Sequence, residues 1–383
     1  MFLKKITIIF VALILLSPII LAILGVRVGQ AVKQGSVPFP PSETLTVNDI
    51  KMEYFRNLEQ WFGSNNSFEG FYIRLWNQLR WSLFNVSDEL VAGIEGWEVD
   101  KKSVYDLLPA SDLLADSDID ITIKLISRFK HYLDQKGIHF LIVVIPFKST
   151  VYPEKFAQSG IPERHESSLK KFQAAFLNND IDYIDAYDIL KRNKEKIVFY
   201  KTDLHFNTVG ADLVSRSILA HLYKKFNLEI PEMETPKVVY QNFSGGSANI
   251  AMPLFYGFSE DVPVVSAPQL YRREEVEHPS SGSKQVKFYS TIKDRQLLPD
   301  TIMYGNSFML LYPSVGLQNH FSSFTSILDY EDFRFSLDHI TEDTKVVILH
   351  LYETQLLLHL PHNNPRNYWD PRVYDLPLPS GSG

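Results

Sequence analysis

The sequence predicts a three-layer α/β sandwich around a central parallel sheet. Helical and strand-like segments alternate from Gly93 onward. One strand candidate, Ile138 to Ile145, is apolar throughout and bounded by Gly137 and Pro146, as expected of a strand covered on both faces. Alternating helix and strand implies crossover connections, which close right-handed over a parallel sheet.

The elements follow in order. After Lys4 and Lys5, the segment Ile6 to Val26 is 21 residues without a charge, long enough to cross a bilayer core of about 30 Å as a helix. It is a membrane span or a signal sequence. Gly29 and Ala31 offer a weak small-x-small cleavage site, but signal apolar regions run to roughly 7–15 residues and the length here favours an uncleaved N-terminal transmembrane helix. Lys4 and Lys5 nearly balance Arg27 and Lys33, so the topology with most of the chain exported rests on simplicity rather than on the positive-inside count. Residues 1–27 are read as this anchor, and 28–48, with Pro38, Pro40 and Pro41, as a spacer.

One catalytic-type domain is expected over 49–375. Its entrance, Asp49 to Phe84, has helical spacing at Met52, Phe55, Leu58 and Phe62. Trp61, Trp76 and Trp81 are either a sugar-stacking platform or, the commoner use, helix packing. Ile119, Ile123, Ile126, Phe129 and Leu133 repeat as an amphipathic helix, with Gly137 as its C-cap. The unit then repeats: the apolar strand, a helix over Leu169 to Phe176, a strand over Ile181 to Tyr187, and a helix containing Val214, Ile218, Leu222 and Phe226. Two later strands are expected at Thr301 to Tyr304 and Lys345 to Leu351. The stretch from about 230 to 300 shows no period and is expected to be an irregular insertion. The Ser-Gly-rich end, 376–383, reads as a flexible tail.

Composition excludes several function classes. In 383 residues, 45% hydrophobic and 13% aromatic, there is ample material for a core. The net charge of -7 provides no field to hold a phosphate backbone, which argues against nucleic acid. With no cysteine there are no disulfides, thiolate metal sites or cysteine nucleophiles. No nucleotide-binding glycine loop is present, and His359-Leu-Pro-His362 lacks the helical spacing and carboxylate of a zinc hydrolase. No cofactor or metal is predicted.

Parallel sheets place ligands at the carboxyl ends of their strands, and two loops in such positions carry reactive groups. In Thr202-Asp203-Leu204-His205-Phe206-Asn207, residues two apart project from one face of an extended chain, so Asp203 can orient the His205 imidazole as a general base. The alternative use of Asp203 is to cap the next helix, with His205 a partly buried surface residue. In Tyr304-Gly305-Asn306-Ser307-Phe308, Gly305 permits a sharp exit from a strand, and Ser307 would begin a helix with its hydroxyl and N–H at the N-terminus. That suits a nucleophile, or an ordinary serine cap. Together the loops supply a serine triad in the chain order Asp, His, Ser. Lys148, after the apolar strand, is either a contact for an anionic sugar or a solvated, ion-paired surface group.

Gly93-Ile-Glu-Gly96-Trp97, Ile145-Pro-Phe-Lys148-Ser-Thr-Val-Tyr152-Pro-Glu, Thr202-Asp-Leu-His-Phe-Asn-Thr-Val-Gly-Ala and Gly305-Asn-Ser-Phe resemble successive signatures of the alginate O-acetyltransferase family, of AlgJ and AlgX type. The resemblance spans Gly93 to about residue 360. It implies an SGNH-hydrolase-like fold with circularly permuted motif order, Ser307 as nucleophile, His205 as general base and Asp203 as its orienting acid. Leu204 and Phe206 stand where the family commonly has threonine and tryptophan, and Asn306 where it often has aspartate or threonine. All three functional groups are kept. No counterpart of the C-terminal carbohydrate-binding module of the AlgX type is seen, so the membrane-anchored AlgJ type is the nearer pattern.

The resemblance implies O-acetylation of a secreted polysaccharide outside the cytoplasm, with a membrane-bound O-acyltransferase of the MBOAT type supplying acetyl groups. A polysaccharide acetylesterase with the same triad, or a non-catalytic polysaccharide-binding scaffold, are the alternatives. The second oxyanion donor is open, with Gly245 and Gly246 as candidate N–H sources.

Overall fold

The computed structural model describes residues 13, 16–24, 26, 56, 59–61, 66–101, 116–159, 168–233, 236–244, 246–277, 284–293, 296–328, 337–358 and 371–379. Most of the Ile6 to Val26 segment, the spacer's prolines, His359, His362 and the last four residues lie outside this set. Among the described residues no helix is long and apolar enough to cross a membrane. The chain divides into two compact units, Met1–Ser87 with Asn249–Phe258, and Asp88–Ala248 with Ser259–Gly383.

In the first unit, helix α1 (Glu69–Phe84) ends where Asn85 turns left-handed at φ 52° and returns its N–H to the last turn. Arg74 donates to the Leu254 carbonyl at 2.8 Å and Asn77 to that of Pro253 at 3.2 Å, so polar side chains tie the 249–258 segment to one side of α1. Trp81 meets Phe258 edge-on, which is the packing role. Trp76 differs. It is 60% exposed, on the face it shares with Tyr72, Leu75, Leu79 and Leu83.

The second unit is built on a seven-stranded sheet of β3 (His139–Ile145), β4 (Tyr183–Ile184), β7 (Tyr271–Glu277), β8 (Lys284–Ser290), β9 (Thr301–Gly305), β10 (Ser323–Leu328) and β11 (Val346–Tyr352). Their order across the sheet is β4-β3-β11-β9-β10-β8-β7. Two separate ladders, β1 (Leu90–Ala92) with β2 (Glu98–Asp100) and β5 (Val239–Ser244) with β6 (Ser259–Val264), are antiparallel. From β4 to β10 the neighbours are parallel; β8 and β7 then join antiparallel. The sheet is therefore mixed rather than wholly parallel. The stretch expected to be an irregular insertion supplies those two strands and the β5-β6 ladder. Arg272, Arg273, Glu274 and Glu275 give β7 the charged character of an edge strand, which conceals it from a search for apolar runs.

Helices cover both faces. Side chains alternate along β3: Phe140, Ile142 and Val144 enter one core with α2 (Asp116–Gln135) and α3 (Ser168–Asn178), through Ile126, Phe129, Phe172 and Phe176. Leu141, Val143 and Ile145 enter the other with α4 (Ala186–Arg192), α5 (Thr208–Lys225) and the 3-10 helix Ser307–Val315. This is the three-layer sandwich. Gly137, at φ 68°, follows α2 as the expected cap. The strand expected over Ile181 to Tyr187 shrinks to β4, because Asp185 accepts the Asp188 N–H and starts α4 one residue later.

Candidate active site

Ser307 follows β9, a strand buried along its whole length. Gly305 ends that strand without a left-handed dihedral; its need is closeness. A Cβ there would lie 2.9 Å from the His350 carbonyl of β11 and would also collide with Met309 Sδ. Asn306 then caps the 3-10 helix, its Oδ1 accepting the Phe308 N–H at 3.1 Å and its Nδ2 donating to Gln355 Oε1 at 2.7 Å. The cap is thus Asn306, which leaves the Ser307 hydroxyl for other partners. The Phe308 ring stacks on Tyr352 at 5.0 Å and lies 4.6 Å from the His205 ring.

The second loop is positioned by a similar division of labour. Asn207 caps α5 by accepting the Val209 and Gly210 N–H groups, at 3.0 and 3.1 Å, and ties back to the Ile197 carbonyl. Asp203 is therefore not the helix cap. Its Oδ1 lies 2.5 Å from His205 Nδ1 and accepts the His205 N–H at 2.9 Å, while Oδ2 accepts the Ser247 N–H at 2.7 Å. Burial pulls the Asp203 carboxyl upward, but these bonds outweigh it and hold the group below the usual carboxylate range. His205 Nε2 lies 2.6 Å from Ser307 Oγ. The structure thus brings Asp203, His205 and Ser307 into one hydrogen-bonded line, across 102 positions of sequence between histidine and serine.

Gly246 backs Asp203: a Cβ would lie 2.7 Å from the Thr202 carbonyl and 2.9 Å from Asp203 Cβ. Gly245 lies outside the described residues. Ser247 completes the support, its Oγ accepting the Leu204 N–H at 3.0 Å.

Lys148 corrects the sequence reading outright, since it is 2% exposed. Its ammonium donates to the carbonyls of Tyr200, Lys201 and Asp203 at 3.1, 2.7 and 2.9 Å, matching three protons to three acceptors of the histidine loop. Burial lowers its pKa to about 8, against the pull of Asp203, Glu260 and Glu98. Glu260 bonds the same loop from the other side, accepting the Lys201 and Thr202 N–H groups at 2.8 Å each. Glu98 is buried and pushed up to about 8 by desolvation, partly offset by Lys148. A sequence cannot show a lysine satisfied by carbonyls more than 50 positions away.

Three sets of known proteins resemble this chain. The curated protein named probable alginate O-acetylase AlgJ from Pseudomonas aeruginosa is 26% identical over 159 residues, 41% of this chain and 39% of that protein. The chain thus matches well under two thirds of this relative's length. Among solved structures, the O-acetyltransferase domain of Pseudomonas putida AlgJ is 15% identical with a TM-score of 0.49, over 75% of this chain and 98% of that one. Bacillus cereus PatB1 is 13% identical with a TM-score of 0.50, over 70% and 97%, a likeness of fold. The family described as the SGNH hydrolase-like domain of acetyltransferase AlgX matches residues 104–311, more than half of the sequence and a span that holds Asp203, His205 and Ser307. This chain belongs to that SGNH hydrolase-like AlgX acetyltransferase family.

Proposed function

We propose that the protein is a polysaccharide O-acetyltransferase acting outside the cytoplasm through an acetyl-serine intermediate. The observation that carries this reading is the hydrogen-bonded line Asp203, His205, Ser307. Ser307 Oγ attacks the acetyl carbonyl of the donor as its proton passes to His205 Nε2. The Asp203 carboxylate fixes the tautomer and stabilises the imidazolium. Collapse of the tetrahedral intermediate expels the donor's leaving group, which takes the proton from His205 and leaves acetyl-Ser307. A sugar hydroxyl then attacks this ester, giving its proton to His205, and the sugar departs acetylated while Ser307 regains its proton. The Ser307 N–H, at the first position of the 3-10 helix, is the assigned oxyanion donor.

A cavity of about 890 Å³ supports a glycan acceptor. Tyr271, Arg273, Gln285 and Phe288 line it with the mixture of rings and polar groups that sugars favour, and Met309 and Leu310, just past Ser307, form part of its wall. The apolar segment Ile6 to Val26 would hold the domain at the membrane, beside an O-acyltransferase of the MBOAT type, because free acetyl-CoA is cytoplasmic. The order Asp, His, Ser is the permuted arrangement of the SGNH motifs.

The test uses an activated acetyl ester with candidate oligosaccharides, read by mass spectrometry. Acetylated sugar is expected, and Ser307→Ala is expected to abolish both its formation and acyl-enzyme labelling while the fold is retained. Free acetate with every oligosaccharide, together with stripping of pre-acetylated glycan, would replace transfer by hydrolysis. Retained turnover in folded Ser307→Ala would remove Ser307 from the mechanism.

A further inference from the structure

At the opposite end of the strands from Ser307, three side chains from separate elements converge. His139 is the first residue of β3, Asp182 directly precedes β4, and His221 lies in the last turns of α5. Their ligand atoms all fall within 4.8 Å of one another. The two Nε2 atoms are 3.3 Å apart, and Asp182 Oδ2 is 3.7 Å from each.

Those distances fit a coordination site, and the two rings also lie within hydrogen-bond reach of each other. A tetrahedral zinc ion with bonds of about 2.0–2.1 Å sets its ligand atoms roughly 3.4 Å apart. The carboxylate oxygen is equidistant from both nitrogens, too far to hydrogen-bond to either ring, and the triangle has edges close to that spacing. The ring planes lie 18° apart with centroids at 5.5 Å, and the Nε2 edges of the two rings adjoin. Phe226 packs edge-on against His139 and fixes that ring. Lys225 Nζ, 3.4 Å from the same Asp182 oxygen, is the competing cation. It is half exposed and can swing outward.

We propose that His139, His221 and Asp182 bind a divalent transition metal of the zinc class, with a water in the fourth position. Two imidazoles and one carboxylate form an N2O set that suits zinc and its cobalt substitute. The ion would be a structural clip. It would tie the last turns of α5 to the start of β3, and the other end of α5 begins three residues after His205. Metal would therefore steady the helix that follows the histidine loop without touching the reacting atoms.

The test is titration of the untagged, metal-stripped full chain with Zn2+ alone, followed by calorimetry and thermal unfolding, with Co2+ as the optical probe. One tight equivalent is expected, with a rise in Tm and visible cobalt absorption of four-coordinate intensity. His221→Ala and Asp182→Asn should each weaken that equivalent at least tenfold, and Asp182→Asn keeps the shape of a part-exposed side chain so that folding is preserved. Lys225→Met should tighten it, a result that a purely structural ion-pair network does not produce. Absence of a stoichiometric Zn2+ equivalent in the wild-type chain, or an equivalent undiminished in folded Asp182→Asn, overturns the proposal. The readouts are independent of acetyl transfer, so failure here leaves the triad untouched.

Discussion

The loop bearing Asp203 and His205 is fixed by buried polar groups, whereas the turn bearing Ser307 is fixed by apolar packing and one helix cap. Around the first stand the Lys148 ammonium, the Glu260 carboxylate and the Ser247 N–H, each bonded to the loop's own backbone or side chain. Around the second are Phe308 against Tyr352, the close approach of Gly305 to β11, and Asn306. The difference follows from position. Ser307 leaves a strand in the middle of the sheet, where neighbours on both sides are strands and hydrocarbon suffices. Among the described residues the histidine loop joins no ladder beyond the single bridge Phe199 to Phe206, so its backbone carbonyls need donors from elsewhere.

The sharpest test of this contrast removes the charge that orients His205, the residue that bridges the two loops. Asp203→Asn keeps the side chain's shape but favours the wrong tautomer at His205, and should lower the transfer kcat by about ten-thousand-fold. Active-site labelling of Ser307 should fall in parallel. Next in size is Lys148→Met. It leaves the carbonyls of Tyr200 and Asp203 without their buried donor, while that of Lys201 keeps the Glu98 N–H, at about 1–3 kcal/mol for a group so orphaned. Denaturant unfolding should show a stability loss of a few kcal/mol, and kcat should drop well before KM changes. A wild-type unfolding curve for Lys148→Met would mean that the histidine loop holds itself.

What was legible in the sequence follows the same division. β3 could be read because a doubly covered strand is apolar at every position, and the α2 face because its period is helical. Asp203 and His205 could be paired because they are two apart, and Ser307 located because it follows a buried strand. β7 could not be read, since an edge strand rich in Arg and Glu looks like a solvated loop. Nor could the burial of Lys148, which depends on carbonyls brought in by α4 and the turns after it. His139 and His221 lie 82 positions apart with Asp182 between them, and only the fold of β3, β4 and α5 brings them together.

The effect that is smallest at pH 5 concerns Glu98, a buried acid beneath the histidine loop. It is 5% exposed, its Oε2 has no hydrogen-bond partner among the described residues, and desolvation lifts its pKa from 4.5 to about 8 despite Lys148 nearby. The folded protein therefore holds a proton on Glu98 between about pH 4.5 and 8 that the unfolded chain has released. More protons bound in the folded state means that stability falls as pH rises through that window. The contribution is fully present below the unfolded value and lost by about pH 8. Glu98→Gln mimics the protonated acid without titrating. Its stability relative to wild type should accordingly be near zero at pH 5 and grow with pH, reaching a gain on the order of a few kcal/mol at pH 8. Chemical denaturation of both proteins at pH 5, 6, 7 and 8 measures this directly. A difference that stays constant across the series would show that Glu98 is ionised in the folded state, and that the polar support of the histidine loop is a carboxylate and ammonium pair rather than a neutral acid beside a cation.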